Sequence, residues 1–431
     1  MDQIEGTSNA STLTLEPEDD LISTMPENVI THILDRVPIL YAIRTSALSR
    51  QWRFKWTMLS QLEFDEDFNL YLLRKGIEKD FGAIVTQILF HHIGDITKFS
   101  VTLSINVAAE YINDWVMLLS RNRIKDLSFR NSGRLCKFPT HLFACLELEH
   151  LELKQCSVSP APSTFHGFPN LLSLRLDSVV FESCTYEILF SRCSLLEMLA
   201  LSSRNIDDVK VLEIAKLQNL RVLRLRLLNL DYRAIITSFD VLQRMSLLSK
   251  LHELNLDLLN CRVFVKEKER FKTLLPCLKA LLLNDMDFSC ANLLSLVYAL
   301  IYASRNARTL KITVGPVVIN DEAEDANDID EVDDVGDAYD MADTDRHKMG
   351  PLQLREVTID HVTCSENEVL LLKSLLSSSP YLKKMKIVAL TSRLRGEIIK
   401  LFKKLLNHRA SPLVEVRIFY KREVVILGGG T

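Results

Sequence analysis

Glycine is scarce in this 431-residue chain. There are 13, and three of them (Gly428, Gly429, Gly430) sit together at the tail. Phosphate-cradling loops need several close together, and neither the dinucleotide fingerprint nor the P-loop spacing occurs. The nine cysteines (Cys136, Cys145, Cys156, Cys184, Cys193, Cys261, Cys277, Cys290 and Cys364) are scattered, odd in number and never spaced CxxC. That pattern reads as reduced, buried thiols and not as a disulfide framework or a zinc site. No apolar run reaches the roughly 20 residues a membrane-spanning helix needs. The longest, around Asn292 to Ser304, puts Leu293, Leu296, Val297, Leu300 and Ile301 on one face of a buried helix. No signal-peptide pattern opens the chain, so the cytoplasm and/or nucleus is the expected location. HExxH helices, GxSxG elbows and cysteine-nucleophile signatures are absent too. The expectation is a protein with no catalytic residue, no metal ligand and no cofactor.

Hydrophobic residues make up 47% of the chain, ample for a folded core. From Ile124 onward one pattern recurs: an aliphatic, two variable residues, an aliphatic, one variable residue and another aliphatic. It occurs at Leu148/Leu151/Leu153, Leu171/Leu174/Leu176, Leu196/Leu199/Leu201, Leu220/Leu223/Leu225, Leu251/Leu254/Leu256 and Leu278/Leu281/Leu283. Looser copies follow at Leu310/Ile312, Leu354/Val357/Ile359, Leu382/Met385/Ile387 and Leu413/Val416/Ile418. The first starts are 23 to 25 residues apart, within the leucine-rich-repeat range. Alternation within each unit implies a short strand, and one strand per repeat implies a solenoid with a parallel sheet. Ten such strands span about 45 Å, a surface suited to a protein or peptide.

Residues between the aliphatics point away from the core. Among them Arg224 and Arg226 share one strand face, flanked by Arg175 and Lys311. These four form a candidate substrate face for an acidic segment, against the plainer reading of a solvated charged surface. The interval Asp321 to Asp345 holds 13 carboxylates and no basic residue, so the rest of the chain is net basic. It has too few large apolar residues to order itself. With Gly336 as the sixth position of a calcium loop, the fifth would be Val335 and the twelfth Ala342, so that spacing fails.

Ahead of the repeats lies a short helical module. Pro26 suits a helix start, and Ile30, Ile33, Leu34 and Val37 trace an apolar stripe that Pro38 ends. A second helix carries Leu40, Ile43 and Ala47, and a third begins near Ser49 with Trp52 and Trp56 on one side. About 40 residues bury too little to be stable alone, so this unit needs a partner or an attached domain. Capping the solenoid is one reading of it.

Met25-Pro26, Ile33-Leu34, Val37-Pro38, Arg44-Thr45-Ser46, Leu48-Ser49, Trp52 and Trp56 together resemble a plant F-box, with methionine where the usual start has leucine. After Gly350, the stretch from Pro351 to Ile387 and the later His408 to Ile418 resemble the FBD region. In this order the whole chain resembles the plant F-box/FBD/LRR-repeat protein family. The resemblance implies an α/β architecture: a short three-helix F-box, an irregular leucine-rich-repeat solenoid and an FBD-type closing region. The expected divisions are a disordered tail at 1–17, the F-box at 18–62 and a connecting region with the first irregular repeats at 63–123. Repeats follow at 124–319, an acidic loop at 320–346, the FBD region at 347–421 and a flexible tail at 422–431.

The resemblance further implies a non-catalytic substrate receptor of a Skp-cullin-F-box ubiquitin ligase, which raises the effective concentration of a target near a ubiquitin-loaded enzyme. Its partners would be a Skp-type adaptor, a cullin through that adaptor, and an unknown protein substrate, with neither nucleic acid nor membrane. Met25, Pro26, Ile30, Leu34, Val37, Ile43, Leu48 and Trp52 are the positions it implies for facing or supporting the adaptor. A repeat-based binding scaffold with no degradative role is the alternative.

Overall fold

The computed structural model describes residues 25–48, 50, 52–104, 106–181, 185–203, 214, 216–227, 246–257, 275–286, 288, 291–315, 350–389, 392–421 and 423–428. The acidic interval, Arg204, and Cys184, Cys261 and Cys290 lie outside them.

Strands β1 (Gln61–Phe64), β2 (Lys98–Leu103), β3 (Asp126–Asn131), β5 (His150–Lys154), β7 (Ser173–Asp177), β9 (Met198–Ser203) and β10 (Val222–Leu227) begin a single sheet. It continues through β11 (Glu253–Asp257), β12 (Ala280–Met286), β13 (Thr309–Val314), β14 (Glu356–Val362), β15 (Lys384–Ala389), β16 (Glu415–Tyr420) and β17 (Glu423–Gly428). Each strand from β1 to β16 in this sheet pairs in parallel with the next, and only β17 runs antiparallel. At about 4.8 Å per strand the parallel part spans roughly 60 Å. Short strands β4 (Cys136–Phe138), β6 (Cys156–Val158) and β8 (Val180–Phe181) form a second sheet beside the early repeats.

The leucine pattern becomes physical in the register. Leu62, Phe99, Leu127, Leu151, Leu174, Leu199, Leu223, Leu254, Leu281, Leu310, Val357, Met385 and Val416 form one column of Cα partners across the sheet. All are buried. Side chains alternate across a strand, so a shift by one residue in any repeat would expose its leucines, and the column is therefore held in register.

The array begins earlier than the leucine pattern shows. β1 and β2 precede Ile124, β2 within the 63–123 region expected to hold the first irregular repeats, because aromatic residues replace leucines there and long helices (Glu66–Lys75, Phe81–His91, Ala109–Ser120) stretch the spacing. Phe64, Phe68, Phe81, Phe99 and Trp115 pack edge-on or tilted at 5.1 to 6.4 Å between centroids. Trp115 is satisfied by a 2.8 Å bond from its indole N–H to the Thr86 hydroxyl. The helix expected near Asn292 is present as Ala291–Ala303 and buries Leu294, Leu296, Val297, Leu300 and Ile301.

At the other end, residues 423–428 were expected within a flexible tail, but they form β17. Lys421 takes a left-handed φ of 52° and reverses the chain, so that Val425 and Leu427 return against Ile418 and Val416. The edge that β16 would otherwise leave open is thus covered by this strand.

Cys145, Cys156 and Cys193 are buried as free thiols, and Cys277 is exposed. Burial pushes the Cys145 thiol up to about 12 and Cys193 to about 11. Such groups stay protonated in the fold but ionise on unfolding near the ordinary thiol value of 9.0. Their contribution to stability is therefore whole below pH 9 and is lost as pH rises toward 11 to 12. The urea midpoint should fall steeply from about pH 9 to pH 10.5, and Cys145→Ala with Cys193→Ala should flatten that fall. Parallel curves for the two proteins would count against the thiols.

Candidate functional site

Two surfaces can carry binding: the outside of the N-terminal module and the open face of the sheet. In the module, Pro26 and Pro38 each sit at a helix N-cap, leading into Glu27–Leu34 and Ile39–Arg44, and Thr45–Ala47 adds a 3-10 turn. The expected third helix is, among the described residues, only the 3-10 turn Lys55–Met58, because Trp52 turns into the core and the chain must reach β1 at Gln61.

The apolar stripe of the first helix divides. Ile30 and Leu34 are buried, Leu34 at 2% exposure, and join the core that runs on through the solenoid. Ile33, next to Leu34 in sequence, is 42% exposed, and Val29 one turn earlier is open as well. On the second helix Tyr41 is exposed, and Leu48 beyond it stands well out into solvent. Of the positions implied for the adaptor, Ile30, Leu34 and Trp52 are thus buried in this chain's own core. Met25, Val37 and Ile43 are half-buried, and Pro26 and Leu48 are exposed. Sequence reasoning left Val29, Ile33 and Tyr41 out of the site. The available signal was the Ile33-Leu34 pair, since adjacent helical residues lie about 100° apart and only one of them can face the core.

Rigid attachment is the module's second property. The Asp35 carboxylate accepts from the Ser60 N–H at 3.0 Å and from its hydroxyl at 3.1 Å. The Ser60 carbonyl accepts from the N–H groups of Thr97 and Lys98, and the Thr57 carbonyl from those of Ile93 and Gly94. The His92 ring bonds the Leu59 carbonyl at 2.7 Å, and burial holds its pKa below the ordinary histidine value. Arg44 lies over the Tyr71 ring at 5.2 Å, and Lys55 pairs with Glu27. The bonds of Ser60, Thr57 and Leu59 tie the module to the segments that enter β1 and β2 and so fix it against the end of the sheet.

On the open face of the sheet a middle column reads Glu152, Arg175, Ala200, Arg224, Asn255, Leu282, Lys311, Thr358, Lys386 and Arg417. This is the set of outward positions that the alternation implies. Its cations are mostly partnered. Arg224 bonds Glu253 at 2.9 Å, Arg226 bonds Asp257 at 2.6 Å, and Lys311 lies 3.4 Å from Asp360. Arg130 grips Glu152 with two bonds of 2.8 and 2.7 Å. Burial pushes the Glu152 carboxyl up, but Arg130, Ser128 and the charge of Arg175 more than reverse this and leave it below the ordinary range. Of the four candidate substrate-face residues, only Arg175 has no carboxylate in ion-pair reach among the described residues. Half-buried apolar residues lie among these charges in two groups, Met198, Ala200 and Val222 on β9 and β10 and Ala280 and Leu282 on β12, with Glu253 and Asn255 of β11 between them. No group of three or more potential metal ligands occurs among the described residues.

Comparison with known proteins divides the chain in the same way. Residues 22–63 match the F-box domain, and residues 112–253 match the family described as "FBD-associated F-box protein At5g56370, LRR repeats". The chain is 40% identical over 184 residues to the F-box/FBD/LRR-repeat protein At1g13570 of Arabidopsis thaliana, covering 42% of this chain and 44% of that one. It is 30% identical over 264 residues to the putative F-box/LRR-repeat protein At3g58880 of the same plant, covering 58% and 57%. A third relative, F-box/FBD/LRR-repeat protein At3g52680, is 28% identical over 212 residues, covering 47% and 45%. The chain thus spans about half the length of the curated relatives it matches. An N-terminal F-box followed by a leucine-rich-repeat region is the architecture of this protein.

Proposed function

We propose that this protein is the substrate-recognition subunit of a Skp-cullin-F-box ubiquitin ligase, in the cytoplasm and/or nucleus. The F-box docks a Skp-type adaptor, the cullin follows through that adaptor, and the repeats hold a protein target. One observation carries this reading: an exposed apolar set (Val29, Ile33, Tyr41, Leu48) is fixed by backbone and carboxylate bonds to the end of a long, stiff sheet. A receptor performs no bond chemistry. It needs a fixed geometry between adaptor and target, because effective concentration at the target lysine falls as the linkage loosens.

The target's chemistry follows from the open face. Arg224, Arg226 and Lys311 already hold carboxylates, so an acidic segment would have to displace them. The two small apolar groups, Met198 with Val222 and Ala280 with Leu282, alternate with charged and polar residues and suit a target surface of similarly mixed character. Of the four candidate cations, Arg175, which is in no ion pair among the described residues, is left to add a specific contact.

The test is affinity capture under proteasome blockade, comparing wild type with Ile33→Asp. Both proteins should retain the same captured partners. Ubiquitin should accumulate on those partners only with wild type, which should also co-purify adaptor and cullin. Equal ubiquitin on captured partners with both proteins, or no adaptor with wild type, would leave only a binding scaffold without a degradative role.

A further inference from the structure

The exposed apolar surface does not stop where the F-box match stops. Phe90 and Ile93 lie well beyond residue 63, yet they are 70% and 77% exposed, among the most exposed large apolar side chains of the described residues. Phe90 stands near the end of the helix Phe81–His91, on the side opposite Phe81, Val85, Ile88 and Leu89, which that helix buries. Ile93 follows after the helix ends. It is held there by the 2.9 Å bond from its N–H to the Thr57 carbonyl. That bond brings the corner against the last turn of the F-box, whose Phe54 and Met58 are also exposed.

Gly94 shows how close the approach is. A Cβ at this position would stand 3.1 Å from the Met58 carbonyl oxygen and 3.2 Å from its Cα. Two segments about 35 residues apart in sequence therefore present one apolar corner of Phe54, Met58, Phe90 and Ile93. Burial of four such side chains is favourable, and leaving them in water on a rigid backbone has no structural return. The corner joins the end of the F-box to the segment that leads into β2, in the first pair of strands of the solenoid.

Resting on the function proposed above, we infer that the adaptor-binding surface extends past the F-box onto this corner, with Phe90 and Ile93 as contacts supplied by the first unit of the solenoid. Such a contact fixes the angle between adaptor and repeats from both sides of the junction. The F-box alone would bind, and the solenoid's corner would tighten and orient it.

The experiment uses the full chain and a purified recombinant Skp-type adaptor, with affinity measured by calorimetry. Phe90→Ser with Ile93→Ser should weaken binding at least about tenfold, with an unchanged thermal transition. Leu135→Ser, at an exposed leucine on another part of the solenoid, serves as the control and should bind like wild type. Amides 90–94 should gain hydrogen-exchange protection in the complex. Wild-type affinity in the double variant, with no protection at 90–94, overturns the extension while leaving the F-box reading intact. No binding by wild type overturns both. Self-association of wild type that the double variant abolishes would assign the corner to a second copy of this chain and likewise overturn the extension.

Discussion

Ile33→Asp combined with Tyr41→Ala is expected to weaken binding of a Skp-type adaptor by about a hundredfold or more while melting within about 2 °C of wild type. Both side chains are substantially exposed in the free protein, so their replacement leaves no cavity and buries no charge. A large apolar side chain at the centre of an interface is commonly worth about 2 kcal/mol or more, and two of them exceed the roughly 2.8 kcal/mol that a hundredfold requires.

The neighbouring substitution Leu34→Arg behaves differently. Leu34 is at 2% exposure in the core that joins the F-box to the solenoid. A guanidinium there is an unpaired buried charge, which costs several kcal/mol. Loss of binding in that variant should come with loss of the F-box fold, visible as new exchange at residues 27–34 and 39–44. Calorimetric titration with parallel exchange measurements separates the two mechanisms. Retained affinity in Ile33→Asp/Tyr41→Ala would mean that the adaptor reads another face.

The second large effect concerns stability. Glu368→Ala should destabilise the C-terminal repeats by about 3 kcal/mol. Ser365 caps the helix Glu366–Ser378, and its hydroxyl accepts from the Glu368 N–H at 3.4 Å. The Glu368 side chain, buried at 3% exposure, reaches back and accepts from the Thr363 N–H at 2.9 Å, the Thr363 hydroxyl at 2.7 Å and the Cys364 N–H at 2.7 Å. This is a capping box extended into the preceding corner, where Cys364 adopts a φ of 65°. Removing the carboxylate strands these donors where water enters poorly, and an unmade bond costs more than a made one contributes.

A solenoid transmits stress only to adjacent repeats, so the loss should be local. Hydrogen exchange should quicken across Glu366–Ser378 and β15 while β3 to β7 keep wild-type protection. Glu368→Gln should recover part of the loss, because its carbonyl can still accept while its amide opposes a donor. Unchanged exchange across 366–378 in the alanine variant would show that the corner holds without these bonds.

The linear chain determined the repeat architecture. Alternation of period two within units spaced 23 to 25 residues apart places leucines on one side of successive strands, and only a parallel sheet can bring them together. The same logic made the outward column from Glu152 to Arg417 legible residue by residue. Where aromatics stood in for leucines, at Phe64 and Phe99, the pattern weakened, so the first irregular repeats were expected within 63–123 but the individual strands β1 and β2 did not show. The F-box was legible through a resemblance that Met25-Pro26, Ile33-Leu34, Val37-Pro38, Arg44-Thr45-Ser46, Leu48-Ser49, Trp52 and Trp56 carry together, since the helices alone fit a solenoid cap as well.

The tertiary structure alone decided what covers each face. Ile33 and Leu34 are chemically alike and adjacent, yet one packs against the solenoid and the other meets solvent, because the docking angle set by Asp35, Ser60 and Thr57 selects one side of the helix. Arg224 and Arg226 look free in sequence, and their partners Glu253 and Asp257 come from the next repeat, about 30 residues later. Periodicity fixes which side of an element a residue occupies. What lies against that side depends on contacts between distant parts of the chain, and those arise only when the sheet closes its register.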